Sequence, residues 1–385
     1  MAGLEAIKAK FAAIDLKALQ GKASFLFGPT DVIGVDVGSF SIKILQLKKE
    51  GLVWKVAAWG YAPIDAKAEA SPDEKKQQVI NRLKALLIEK GAQVKHAATA
   101  ISGNAVIVRY VKFPKLTKGE LRATLATEAE PFIPFDINDV QLGFHILGDL
   151  VEEGQKKMET VLVAAKKDVI LSRVEILDGV GLKPTVIDVD SFALESVHEA
   201  IGAGDKMGST LYLNIGHTVT NLSILEGGVT RVVRDVFIAG NTFTKAIAKA
   251  LQYDPAKAEE AKKAHGLLID AEEKEKALAD GNRDALGVSQ AVSGVLKDLV
   301  GELHRSVDFY LSQGPERSIG RIVLAGGSAR LKNLAKALAG ELKVPVTVMN
   351  PLAFVPALPP DLPPDLLPAL GVVAGLALRR NRDWA

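Results

Sequence analysis

Residues Val32–Lys49 read VIGVDVGSFSIKILQLKK, two apolar runs joined by a short turn of small residues. Ile33, Val35 and Val37 alternate with Gly34, Asp36 and Gly38, and Ile42, Ile44, Leu45 and Leu47 resume the apolar pattern after Ser39-Phe40-Ser41. Alternation on both sides of a small-residue break predicts a β-hairpin. The turn has the composition of a phosphate cradle. Gly38 has no Cβ and can take positive φ, so an anion can approach the backbone N–H groups there. Ser39 and Ser41 add hydroxyl donors and Lys43 adds a positive charge. Asp36, at the end of the first strand, faces the same turn and suits a hydrated divalent cation beside phosphates. Taken alone, the same residues also suit an ordinary surface hairpin.

A second copy changes that balance. Leu211–Val236, LYLNIGHTVTNLSILEGGVTRVVRDV, repeats the order strand, small polar turn at Gly216-His217-Thr218, strand, Gly227-Gly228 turn, strand. More than a hundred residues separate the copies, which predicts two similar lobes facing one cleft. In a third element, IVLAGGSARLKNLAKALAGEL, an apolar strand runs into Gly326-Gly327-Ser328 and then a helix with Leu331, Leu334 and Leu338 on one face. A strand, a glycine pair and a helix N-terminus form an anion or nucleotide site, although a tight βα turn has the same composition.

Bulk properties are those of a folded chain with two ordinary domains: 385 residues, 48% hydrophobic and 24% charged. A net charge of only +2 gives no global reason to bind nucleic acid. The absence of cysteine excludes disulfides, thiolate metal sites and cysteine nucleophiles. The six histidines have no metal-ligand spacing, and only His217 falls inside a motif. No run of eighteen apolar residues predicts a membrane span. Ahead of the first hairpin, Leu4, Ile7, Phe11 and Ile14 share one helical face and Lys8, Lys10 and Lys17 lie on others. This leader is expected to be an amphipathic helix, either packed on its own domain or docked on a membrane surface or partner.

Further along, QQVINRLKALLIEKG predicts a helix ended by Gly91, and AVIVRYVKF and ETVLVAAKK predict strands. Helices are expected near Glu120–Glu130 and Asp168–Gly179, and PTVIDVDSFALESVHEAI should give a strand and a helix capped by Ser191 or Asp190. The mixed charges of AEEKEKALADGNRD suit a solvated helix end, and Glu259-Lys263 and Glu272-Lys276 have i,i+4 spacing. ALPPDLPPDLLPAL leads into LGVVAGLALRR, whose small residues suit a buried contact.

In this order the segments resemble the nucleotide site of the superfamily that includes actin, the heat-shock chaperone ATPases and the sugar kinases. AGNTFTKAIAKALQYDPAKAEEAKKAHG is similar to a segment shared by the cell-division protein FtsA and the type IV pilus assembly proteins PilM. ATAISGNAVIVRYVKFPKL, ATEAEPFIPFDINDVQLGFHIL, ELHRSVDFYLSQ and VTVMNPLAF resemble the PilM family in particular. The resemblance implies an α/β, actin-like two-lobed fold of duplicated ribonuclease H-like domains with an FtsA/PilM-type insert, called 1C. The implied division is a leader at 1–31, a first lobe at 32–97 and 182–207, the insert at 98–181, a second lobe at 208–250 and 300–385, and a small subdomain at 251–299.

The resemblance also implies ligands and roles. ATP or ADP with Mg2+ would contact Asp36, Gly38, Ser39, Phe40, Ser41 and Lys43 from the first loop and Asn214, Gly216, His217 and Thr218 from the second. Gly240 and Asn241 would join them from the glycine-led helix, and Gly326, Gly327 and Ser328 would face the adenosine. The second loop departs from the superfamily pattern, which opens with Asp where this chain has Asn214. An amide cannot supply the charge that holds a magnesium-bound water, so binding is expected to outlast fast hydrolysis, and no residue stands out as positioning an attacking water. The implied function is a cytoplasmic scaffold at the inner face of the membrane, docking the N-terminal peptide of a PilN-type protein near Ala105–Tyr110. Pilus motor ATPases and further copies of the chain are additional candidate partners. The alternatives are an FtsA-like division protein, a small-molecule kinase, and the cytoplasmic part of a type II secretion protein.

Overall fold

The structure, a computed structural model, describes residues 32–64, 71–202 and 208–380. The leader at 1–31 lies outside the described residues. The first lobe opens with β1 (Ile33–Val37), β2 (Ser41–Glu50) and β3 (Val53–Pro63), followed by α1 (Pro72–Glu89) and β4 (His96–Ile101). α1 begins at a Ser71–Glu74 capping box and ends before Gly91 at φ +61°, as its sequence predicts. The insert holds β5 (Val106–Pro114), α2 (Lys118–Ala129), β6 (Val140–Glu152) and β7 (Gln155–Lys166). Then come α3 (Lys167–Asp178), β8 (Lys183–Val189) and α4 (Asp190–Ala200).

The second lobe repeats the opening with β9 (Ser209–Ile215), β10 (Thr220–Glu226) and β11 (Val229–Val236). It continues through α5 (Gly240–Leu251), α6 (Pro255–His265), α7 (Ala271–Ala279), α8 (Arg283–Leu311), β12 (Ile319–Ala325), α9 (Leu334–Leu342), β13 (Val346–Val348) and α10 (Gly371–Ala377). The two five-stranded sheets have matching orders, β3-β2-β1-β4-β8 and β11-β10-β9-β12-β13, so the repeat in sequence is a repeat in topology. In each, an antiparallel hairpin is extended by parallel strands. This is the actin-like two-lobed fold.

Outer helices cover one face of each sheet. Leu83 and Leu86 of α1 and Ile176 and Leu177 of α3 bury Ile33, Val35 and Ile44, while α5 and α8 cover Leu211, Leu213 and Leu222. α4 and α10 fill the space between the sheets, where Leu194, Val197, Val373 and Leu376 meet Leu45 and Ala98 from one lobe and Tyr212 and Val323 from the other. Every residue of α10 is buried. Close approach requires its glycine: a Cβ on Gly375 would overlap the Ala193 carbonyl of α4, and one on Gly34 of β1 would lie 2.6 Å from the Val373 carbonyl oxygen. Thus α10, assigned by sequence to the second lobe, is shared by both.

Two further expectations are corrected and one strand is added. β4 pairs with β1 and β8, and α3 packs in the first-lobe core, so the part of the insert with its own core spans about 102–166 rather than 98–181. β6 carries the alternation Val140, Leu142, Phe144, Ile146, which the sequence reading passed over. α8 runs unbroken through residue 299, where a subdomain boundary was expected. The insert's sheet, ordered β5-β7-β6, packs Leu121 and Leu125 of α2 on one face and meets Ile101, Val189 and Val233 of the lobes on the other. No helix among the described residues is long and apolar enough to cross a membrane.

Candidate functional site

The two hairpin turns close in the same way. The Gly38 N–H donates to the Ser41 carbonyl at 3.1 Å and the Gly216 N–H donates to the Val219 carbonyl at 3.0 Å. Each turn therefore presents a two-residue tip, Ser39-Phe40 in one lobe and His217-Thr218 in the other. The tips meet: Ser39 Oγ and Thr218 Oγ1 are 3.0 Å apart, and the Phe40 and His217 rings lie 5.1 Å between centroids. Beneath them is a cleft of about 800 Å³, large enough for a nucleotide. Every residue named above as a nucleotide contact lines it, except Asn241.

The structure revises how several of these residues act. Gly38 does not have positive φ; its missing Cβ instead leaves room for the Ser41 carbonyl and the Lys43 ammonium, 3.1 and 3.3 Å from where that carbon would be. The Gly38 and Gly216 N–H groups close their own turns, and the Gly240 and Asn241 N–H groups donate to the Gly216 and His217 carbonyls. The start of α5 thus braces the second loop and offers these two amides to no ligand. At the third element, Gly326 has φ +85°, and a short 3-10 turn over Gly327–Arg330 precedes α9. The helix begins at Leu334, so its N-terminus does not adjoin the glycine pair and Leu331 stands outside it.

Charge is concentrated on the cleft floor. Lys43 Nζ contacts Asp36 Oδ2 at 3.0 Å, so the lysine and the carboxylate partly neutralise each other. Arg173 of α3 donates to the Val37 carbonyl at 2.9 Å, and burial lowers its pKa against the opposing pull of Asp36 and Asp190. Asp190 does not cap α4. The cap position is Val189, and Asp190 lines the cleft. Desolvation by the surrounding protein, followed by repulsion from Asp36, pushes its carboxyl up to about 7.

From the second lobe, α6 adds Glu259, Lys262 and Lys263. Lys262 Nζ is buried and donates to the Gly240 carbonyl, Thr244 Oγ1 and Glu259 Oε2 at 3.1, 2.9 and 2.6 Å. Burial lowers the Lys262 pKa, and although burial opposes ionisation of Glu259 too, its partner Lys262 holds that carboxyl below the usual range. Burial, with Lys262 nearby, also lowers the His217 pKa and favours a neutral imidazole. The sequence reading saw in Glu259 only its i,i+4 relation to Lys263, which is present at 3.6 Å. Asn214 is buried: its Nδ2 donates to Asn221 Oδ1 at 2.8 Å, and Asn221 Nδ2 donates to Asp235 Oδ1 at 2.7 Å.

The chain as a whole is similar to a solved structure described as the PilM-PilN type IV pilus biogenesis complex. Identity is 28% over 92% of this chain and 98% of that one, with a TM-score of 0.75. The ethanolamine utilization protein EutJ from Carboxydothermus hydrogenoformans shares the fold at 15% identity, covering 91% of this chain and 90% of that one, with a TM-score of 0.51. The sequence pattern of the family described as type IV pilus assembly protein PilM matches residues 34–381. With the duplicated sheets, the paired loops and the insert all present, the chain belongs to the PilM family of type IV pilus assembly proteins.

Proposed function

We propose that this chain is a cytoplasmic, nucleotide-stabilised scaffold of a type IV pilus machine, binding ATP or ADP with Mg2+ between its lobes and docking the N-terminal peptide of a PilN-type membrane protein. The observation that carries the nucleotide reading is the meeting of two matching hairpin tips over one cleft. The residues suit the ligand. Ser39 and Thr218 offer hydroxyls from opposite lobes, Gly326 and Gly327 line the wall for a base, and Glu259, held in place by Lys262, offers a carboxylate acceptor to a ribose hydroxyl. For Mg2+, Asp36 and Asp190 are the carboxylates on the first-lobe side of the cleft, and no group of three ligating side chains occurs among the described residues. The ion would therefore be held largely through phosphate and water oxygens. When bound it supplies charge neutralisation at the phosphates.

A ligand touching both lobes favours their closed arrangement by its differential affinity for that state. Support for the peptide reading comes from the similarity to the PilM-PilN complex and from β5, an edge strand of the insert's sheet. Val106 and Val108 are buried in that strand, so an added peptide strand would use its edge and the more exposed Ile107, Arg109 and Tyr110. The test is calorimetry with Mg-ATP, followed by analysis of the bound nucleotide over hours. Tight binding with slow or absent hydrolysis is the expected result. A second titration with a PilN-type peptide, with and without saturating Mg-ATP, checks the docking and its dependence on nucleotide. Absence of nucleotide binding would leave partner docking as the whole function.

A further inference from the structure

Asn214 is the first member of a chain of hydrogen bonds that leaves the cleft and crosses the second-lobe sheet. Its Nδ2 donates to Asn221 on β10, Asn221 Nδ2 donates to Asp235 on β11, and the remaining Asp235 oxygen accepts the N–H of Gly103 at the root of the insert. The polarity of this chain is set at its far end. An ionised Asp235 can only accept, so Asn221 must turn its NH2 toward it and its carbonyl oxygen toward residue 214. Residue 214 must then donate, which asparagine can do and aspartate cannot. Asn214 Oδ1 is left beside Gly326 on the cleft wall, 2.8 Å from where a Cβ on that glycine would lie.

β11 is also one of the strands by which the second lobe touches the rest of the molecule. Arg231 pairs with Glu159 of β7 at 2.8 Å, and the Thr230 N–H donates to Glu195 of α4 at 2.9 Å. The relay therefore enters a strand already fastened to the insert and to the first lobe.

We propose that Asn221 and Asp235 are positioning residues that fix the orientation of the Asn214 amide at the cleft and join that strand end to Gly103, so that a ligand in the cleft and the insert bias one another. This rests on the reading of the cleft as a nucleotide site. It also explains the departure at Asn214 by hydrogen-bond polarity, since with Asp at both 214 and 235 a single Asn221 amide could satisfy only one carboxylate.

The test is hydrogen exchange of the segment 102–106 in the full chain, with and without saturating Mg-ATP, after calorimetry has established binding. In the wild type, nucleotide is expected to slow exchange at Gly103 about tenfold, the middle of the usual range for coupled sites. Asn214→Asp should abolish that effect. Asn214→Asp/Asp235→Asn should restore it, because reversing both ends lets Asn221 turn over and satisfies every group again. Should Asn214→Asp fail to fold, Asp235→Ala serves in its place, with loss of the effect expected at saturating nucleotide. Wild-type binding without any change at Gly103 would overturn the relay and leave the nucleotide site standing. A folded, nucleotide-bound double variant that does not recover the effect would also overturn the relay. No binding of Mg-ATP by the wild type would overturn the nucleotide site itself, and the relay's role with it.

Discussion

Ser39 Oγ lies 3.0 Å from Thr218 Oγ1, and this one hydrogen bond joins residues 179 positions apart at the tips of two topologically equivalent hairpins. The rings of Phe40 and His217 lie beside it, tilted 38° to one another, and Lys263 Nζ lies 5.8 Å from the Phe40 ring centroid. The lobes therefore make side-chain contact at the mouth of the cleft as well as through the helices between the sheets. An exposed hydroxyl pair contributes little to folding, roughly 0.5–1.5 kcal/mol, and its groups are free to exchange one another for phosphate oxygens.

Removing both hydroxyls should thus affect ligand far more than fold. The double variant Ser39→Ala/Thr218→Ala is expected to weaken Mg-ATP binding by roughly tenfold or more, two hydrogen bonds to a charged group being worth about 1.5–3 kcal/mol each at most. Its unfolding midpoint in urea should stay close to that of the wild type. Calorimetry of the purified variant checks the first and denaturation the second, and unchanged affinity would mean that the tips do not touch phosphate.

Asp36→Asn tests the cleft floor. The pair with Lys43 is largely shielded, with side-chain exposures of 16% and 13%, so the variant should lose about 1–3 kcal/mol of stability as well as retention of Mg-nucleotide. It should also lower the Asp190 pKa, because the Asp36 charge is, after burial, what raises it. Carbon-detected titration of the Asp190 carboxyl checks this, and a variant that folds less well yet retains nucleotide normally in its folded fraction would identify Asp36 as a structural carboxylate.

The outcome at these residues shows what a sequence can carry. Hairpins with alternating residues and small turns announce themselves locally, so both loops and the duplication were legible. β6 is equally local, in the alternation of Val140, Leu142, Phe144 and Ile146. Asp190 and Glu259 are different. Nothing in their neighbours along the chain distinguishes a helix cap or surface ion pair from a cleft wall, because that depends on which helix the fold turns toward the second loop. The start of α9 differs for a related reason: the leucine spacing from Leu331 onward fits a helix, but Asn333 takes a left-handed conformation at φ +64° and delays its start to Leu334.

α10 offers a prediction about packing. Gly375→Ala drives a methyl group into the backbone of Ala193, which cannot rotate away as a side chain could. A loss of about 1–3 kcal/mol or more is expected. Gly301→Ala, in the middle of α8 with nothing within 4 Å of the added carbon, should instead stabilise by up to about 1 kcal/mol. Thermal or urea unfolding of the two variants separates the effects, and equal behaviour would show that the helix does not approach α4 so closely.

The last prediction concerns pH. Asp190 has a folded pKa of about 7 against a reference of 3.8, raised by burial and then by Asp36. A group whose pKa is raised on folding favours the folded state when protonated, so its contribution is fully present below about pH 4 and is lost progressively as pH rises to about 7. Asp190→Asn keeps the uncharged shape at every pH. The stability of the variant minus that of the wild type should therefore grow between pH 4 and 7 and level off above it. Urea unfolding across that range measures the difference, and parallel curves would show that Asp190 is ionised throughout. Saturating Mg-ATP, by bringing a cation near the carboxylate, should move the rise to lower pH, because an opposite charge favours the ionised form. A shift in that direction would place Asp190 beside the bound cation, and an unchanged curve would place the cation elsewhere in the cleft.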